Sequence, residues 1–232
     1  MTPSTPDIPA PLGHRSPGIS FRRGTVEDVE FITGAIIEAE RSGTPRSMYE
    51  AVFNLSEAEL RALLAAIVGQ DIPGCELCCS SFVLALDGTT PVGALATWVE
   101  GEEGPSNLVR ATLLVEQLGA PRWTQAQAAL RLLGEVEIAR DEGTLQIESI
   151  FVAAAQRGRR ITGGMIDYAL TDCRRTHPTV GQAQVLTVLE NVASSTALRH
   201  AGFAIKKRTA SDNRELGRWF PGSGRLLWER TF

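Results

Sequence analysis

The apolar positions of the chain change period at one place, and the rest of the sequence is ordered around it. Between residues 145 and 152 they alternate. Leu145, Ile147, Ser149 and Phe151 fall on one face, and Gln146, Glu148, Ile150 and Val152 on the other. Period two predicts a strand, and the apolar Ile150 and Val152 predict that it is covered on both sides. Residues 156–164, Gln-Arg-Gly-Arg-Arg-Ile-Thr-Gly-Gly, read as a Gly- and Arg-rich turn. Beyond it Ile161, Met165, Ile166, Ala169, Leu170 and Cys173 share one helical stripe, with Asp167, Thr171 and Arg174 off it. The unit is strand, turn, helix. Free amides at a helix start converge on one point and attract an anion, and arginines beside them favour phosphate.

The same patterns place the other elements. Residues 19–24 read as a short strand. Thr25 and Asp28 then start a helix whose apolar face carries Val29, Ile32 and Ile36. Ser56 and Glu59 form a capping box ahead of Leu60, Leu63, Leu64 and Ile67, and Gly69 ends that helix. Residues 81–86 and 91–99 are β-rich runs joined through Asp87-Gly88, a strong hairpin signal. Residues 100–143 form an insert of about 40 residues, too long for a bare loop. Within it, 106–118 and 124–133 read as two helices separated by Gly119 and Pro121. After the central unit come a strand at 184–189, a helix capped by Asn191 and ended by Gly202, and strands at 203–207 and 225–230.

Composition narrows the class. The 232 residues are 43% hydrophobic and 22% charged with a net charge of −4, values ordinary for a globular chain. The negative balance and the lack of aromatics among the basic residues argue against nucleic acid. No apolar run approaches a membrane span. Residues 1–18 lack an apolar leader core and are rich in Pro, Ser and Thr, so a disordered tail is expected there, followed by a single domain over 19–232. Cys75, Cys78, Cys79 and Cys173 have no second ligand pair at zinc spacing, and His14, His177 and His200 are scattered. No metal is expected, and the thiols read as reduced cysteines of a cytoplasmic protein. The phosphate-loop pattern Gly-x-x-x-x-Gly-Lys-Ser/Thr is absent, which ranks an ATP-binding protein far behind.

Ile-Glu-Ser-Ile-Phe-Val at 147–152, followed by Gln-Arg-Gly-Arg-Arg-Ile-Thr-Gly, resembles the acetyl-coenzyme A motif of the GCN5-related N-acetyltransferase (GNAT) superfamily. The family pattern in the turn is Arg/Gln-x-x-Gly-x-Gly/Ala. Arg157 matches its first position, Arg160 stands where the first glycine is usual, and Thr162 where the second small residue is usual. Ile-Ser-Phe-Arg-Arg-Gly-Thr-Val-Glu-Asp-Val near the start resembles the family's opening strand and helix, and the 82–95 hairpin its second and third strands. Asn191, Ala197 and Gly202-Phe203 resemble its second motif, in which Leu198 takes the usual Tyr position and Ser194 the usual Ala position.

The resemblance implies an α/β (α+β) fold: a mixed sheet of six or seven strands flanked by helices, splaying beside Ile150 to Val152, with a helical insert before the central strand. It also implies acetyl transfer from acetyl-CoA to a primary amine of a small molecule or peptide. Glu148 is then the expected general base. Backbone at Ile150, Phe151 and Val152 receives the pantetheine arm and polarises the thioester. The pyrophosphate lies on Arg157, Gly158, Arg159, Arg160, Ile161, Thr162 and Gly163, with Asn191 close by. The insert is expected over the acceptor side, with a homodimer contact as the alternative, and Glu100, Glu102, Glu103, Glu135 and Glu137 could steer a cationic amine. The alternative function is a catalytically weak acyl-CoA-binding module, favoured by the turn's departures and by Leu198, which can donate no proton.

Overall fold

Seven strands hydrogen-bond into one mixed sheet in a computed structural model that describes residues 18–232. They are β1 (Ile19–Arg23), β2 (Phe82–Asp87), β3 (Thr90–Val99), β4 (Leu145–Val152), β5 (Gln182–Val188), β6 (Ala204–Ala210) and β7 (Gly224–Thr231). Their order is β1-β2-β3-β4-β5-β7-β6, and β4–β5 is the parallel pair among antiparallel neighbours. The mixed α/β class and strand number expected from the sequence are those observed. The expected tail falls outside the described residues except for Gly18, which is a turn ahead of β1.

Six helices cover the sheet. These are α1 (Val29–Arg41), α2 (Met48–Phe53), α3 (Glu57–Val68), α4 (Ser106–Leu133), α5 (Ile161–Thr176) and α6 (Val192–His200). Away from the register shift at Val92, the hairpin strands alternate between two apolar layers. Phe82, Leu84, Ala94, Ala96 and Trp98 join the layer under α1–α4, while Val83, Ala85 and Leu95 join the layer under α5 and α6. Each of the larger side chains among them, fully buried, contributes roughly 1.5–3 kcal/mol, so these strands are held from both faces. Helix α5 lies close on the sheet: a Cβ at Gly164 would meet the Phe21 ring at 2.5 Å.

The insert departs little from the pattern read in the sequence. One α-helical run spans Ser106–Leu133, but Gly119 breaks it (φ 76°, ψ 156°) just ahead of Pro121, leaving two helical arms. Leu113, Leu114, Ala126, Ala129 and Leu133 pack into the same layer as α2 and α3. Helix α2 was not legible to a periodicity argument because it has six residues, although its Ser47/Glu50 capping box repeats the Ser56/Glu59 signal. The acidic residues around the insert take structural partners. Glu100 accepts from the Ser106 amide (2.9 Å) and the Trp98 indole (3.1 Å). Glu135 accepts from Ser211 and Asn213, and Glu102 pairs with His177. None of these three lines the cavities described below.

Candidate active site

Strict alternation along β4 ends at Ser149. Ala96 lies opposite Glu148 and Ala94 opposite Phe151, so Ser149 and Ile150 together face Leu95. Two residues against one is a β-bulge, and Ser149 takes a positive φ of 50° to make it. The bulge exchanges the faces beyond it. Ile150 and Val152 now join Leu145 and Ile147 in the layer under α5, and Phe151 turns to the opposite layer against Phe31 (ring centroids 6.2 Å). The sequence reading, which put Phe151 on the Ile147 face, is corrected on this point. The bulge also ends the pairing with β5. Register runs from Leu145↔Ala183 to Ile147↔Val185 and stops, while β5 continues along β7 to Val188↔Arg225. Beyond Ile147 the β5-facing peptide groups of β4 therefore have no strand partner.

One side of this splay opens into a cavity of about 770 Å³ lined by Val152, the 156–163 turn and the outer face of α6. Helix α5 starts there without a side-chain cap. Its first intrahelical amide bond is Gly164 N to Arg160 O, so the amides of Ile161, Thr162 and Gly163 have no helical acceptor. Gly158 (φ 81°) and Arg160 (φ 58°) are both left-handed. Arg157 lines the cavity and donates from Nε to the Val152 carbonyl (3.2 Å). Arg159 does not line it: its guanidinium donates to Asp87 (2.8 Å) and to Gln156, so of that residue only the backbone stays in the turn. His200 is exposed at the cavity rim.

The other side opens into a smaller cavity, about 130 Å³, between the ends of α1 and α2, the bulge, β5 and the start of β7. Ile150, Asn191 and Ser194 line this one, while Val152, Ala193 and Ala197 line the first. The two cavities thus adjoin along the β4 end and the first turn of α6. Asn191 is the N-cap of α6, its Oδ1 accepting the Ser194 amide at 3.0 Å.

Charge is dense in the smaller cavity. Glu148 lines it, but its carboxylate is ion-paired with Arg140, which is 5% exposed and stacks over Trp98 (5.5 Å). Buried Glu76 accepts from Arg110 (2.7 Å) and lies near the Tyr49 hydroxyl (3.4 Å). Glu40, in the last turn of α1, also lines the cavity and has no hydrogen bond or ion pair among the described residues. Burial, then the charges of Glu76 and Glu148, push its carboxyl from the ordinary 4.5 up to about 7. Leu198 is elsewhere: it is 1% exposed and packs in the layer under α5.

Glu40, Arg110 and Arg225 were not singled out from the sequence. Glu40 carried one signal, a carboxylate in the last turn of a helix, where the dipole disfavours it. The arginines are brought in by tertiary packing.

No family model matches the chain, and no curated protein does. Solved structures do. The N-acetyltransferase from Staphylococcus aureus Mu50 is 13% identical, with 90% of this chain and 99% of that one covered and a TM-score of 0.62. An acetyltransferase of the GNAT family from Streptococcus agalactiae 2603 is 11% identical, covering 95% and 99%, with a TM-score of 0.50. The chain has the GNAT fold. A third structure of this kind is the Drosophila melanogaster polyamine N-acetyltransferase, which catalyses the formation of N-acetylagmatine; it is 12% identical, covers 92% and 100%, and has a TM-score of 0.57. Against the GNAT turn pattern noted in the sequence, the position usually held by glycine is Arg160, and its φ of 58° accounts for that preference. A residue with a Cβ there costs about 1–2 kcal/mol in backbone strain. The GNAT helix N-terminus is retained, since its donors are backbone amides that any residue but proline supplies.

Proposed function

We propose that the protein is an acetyl-CoA-dependent N-acetyltransferase that moves an acetyl group to a primary amine by direct attack. The observation that carries this reading is the splay. It places an uncapped helix start flanked by Arg157 and Arg160 on one side, a charged cavity on the other, and unpaired strand backbone between them.

Each part fits a donor of that shape. The amides of residues 161–163 suit a pyrophosphate, with Arg157 and Arg160 adding charge. The open edge of β4 suits the amides of a pantetheine arm, which would add to it as a short strand would. The donor supplies an acyl group activated as a thioester. Backbone N–H groups at the bulge are suited to polarise its carbonyl.

For the proton we favour Glu40. An alkyl amine has a solution pKa near ~10.4 and arrives protonated. A base near pH 7 is ionised often enough at neutral pH and strong enough to take that proton, directly or through one water. Glu40 meets this condition. Glu148, the base expected from the resemblance, lines the same cavity, but its carboxylate is occupied by Arg140. We assign it the role of raising the basicity of Glu40 through its charge. Glu40 takes the ammonium proton and passes it to solvent; as the neutral nitrogen then bonds to the carbonyl carbon and the carbon–sulfur bond breaks, the second nitrogen proton goes to Glu40 and solvent protonates the departing thiolate. Leu198, where a tyrosine is usual, packs in the core and takes no part.

The test is a panel of amines incubated with acetyl-CoA, followed by free-thiol release and product mass. Release with matching acetylated product supports the transferase. Acetyl-CoA binding without release for any amine would replace it with the acyl-CoA-binding module.

A further inference from the structure

Two ion pairs reach the smaller cavity, each through the one member that lines it, Glu148 or Arg110, and two opposite charges line it outside any ion pair among the described residues. Glu148 is paired with Arg140, and Glu76 with Arg110. Glu40 and Arg225 both line the cavity, yet neither has an ion-pair partner among the described residues, and they are not paired with each other. Arg225, at the start of β7, is held by other contacts. Its guanidinium lies over the Phe220 ring (5.1 Å), and one nitrogen reaches Met48 Sδ (3.9 Å). Its Nε is buried with no hydrogen-bond partner. A guanidinium desolvated on one face and unpaired on its edge is a costly arrangement that an incoming carboxylate relieves, and the fork geometry favours carboxylate in particular.

We propose that the acceptor is a free amino acid, held as a zwitterion with its carboxylate on Arg225 and its amine directed to Glu40 and the β4 bulge. This rests on the transferase reading and names its substrate class. A simple polyamine or agmatine fits poorly, because a second cation would face Arg225 with nothing to satisfy it. Met48, Phe220 and Pro221 border the same cavity and leave an apolar flank for a side chain.

The experiment compares each of several L-amino acids with its own decarboxylated amine: leucine with isopentylamine, tyrosine with tyramine, arginine with agmatine. Two readouts are taken on the full chain, kcat/KM from thiol release with acetyl-CoA, and equilibrium binding by saturation-transfer NMR with CoA present. At least one amino acid should exceed its amine by about tenfold or more in kcat/KM, as one charge-assisted contact predicts. Arg225→Gln should collapse that ratio towards one, and Arg225→Lys should restore part of it because charge returns without the fork. A melting curve for each variant separates loss of contact from loss of fold. Amines that match or exceed their amino acids in both readouts overturn the proposal, as does an amino-acid preference that survives Arg225→Gln. Amino-acid binding that depends on Arg225, with no thiol release from any acceptor, supports the carboxylate contact but removes the transferase and, with it, the acceptor role. Absence of any amino-acid binding or turnover removes the proposal whether or not another amine reacts.

Discussion

Replacing Glu40 by Gln should make the protein more stable and nearly inactive at the same time. The carboxyl is raised from 4.5 to about 7, by burial first and then by Glu76 and Glu148, against the opposing pull of Arg225 and Arg110. Tyr49, also close, is held neutral by burial, its phenol well above the usual range. Between these two pH values the native state keeps a proton that the unfolded chain has lost, so stability falls as pH rises through that window and stays lower above it. At about 1.4 kcal/mol per pH unit the full effect is roughly 3 kcal/mol. Glu40 retains some solvent contact, and screening reduces this to about 2 kcal/mol. Glutamine carries no charge, so Glu40→Gln should gain that amount at pH 8 and almost nothing at pH 4.5, the latter being the ordinary glutamate value. For a chain of this size the gain is about 4–8 °C in Tm. Loss of the base should lower kcat/KM by about 10²–10⁴-fold and abolish its rise through pH 7. Thermal melts at the two pH values and a pH–rate profile read both effects. A variant no more stable than wild type at pH 8 would show that Glu40 bears no buried charge. Full activity with an unchanged profile would remove it as the base.

Glu148→Gln should behave in the opposite way in stability: it strands Arg140, 5% exposed, at a cost of about 3–5 kcal/mol in denaturant unfolding. Arg160→Gly should relieve the left-handed strain and raise stability by about 1 kcal/mol, while weakening acetyl-CoA binding severalfold in calorimetry at low salt. Arg159→Gln should leave that binding within about twofold, since its guanidinium is on Asp87. Leu198→Tyr should give no gain in turnover and cost about 1–3 kcal/mol, because the residue is 1% exposed in a filled layer and a larger ring overpacks it.

What the sequence disclosed and what it withheld divide along one physical line. Elements whose signal is local were legible: the 145–152 alternation, the helical stripe after Ile161, the Asp87-Gly88 hairpin, and the Asn191 and Ser56 caps. The turn that lines the larger cavity was legible for the same reason, since it is contiguous from Gln156 to Gly163. Features set by long-range packing were not. The bulge at Ser149 depends on β3 holding Ala94 and Ala96 in register, and nothing at Ser149 itself signals a positive φ. The smaller cavity draws Glu40, Arg110, Glu148 and Arg225 from elements far apart in the chain. That Glu148 is ion-paired while Glu40 has no ion-pair partner among the described residues follows from where Arg140 lies, a matter of tertiary structure alone. Arg159 shows the same limit within the motif, because its partner Asp87 is 72 residues away in sequence.

The claim that the splay between β4 and β5 receives an acyl-CoA donor is tested most directly by amide hydrogen exchange, read by mass spectrometry, with and without saturating acetyl-CoA. The account predicts slowed exchange concentrated at residues 150–152 and 158–163, where strand edge and helix start offer unpaired amides. Acetyl-CoA binding that protects other segments and leaves both of these unchanged would contradict it.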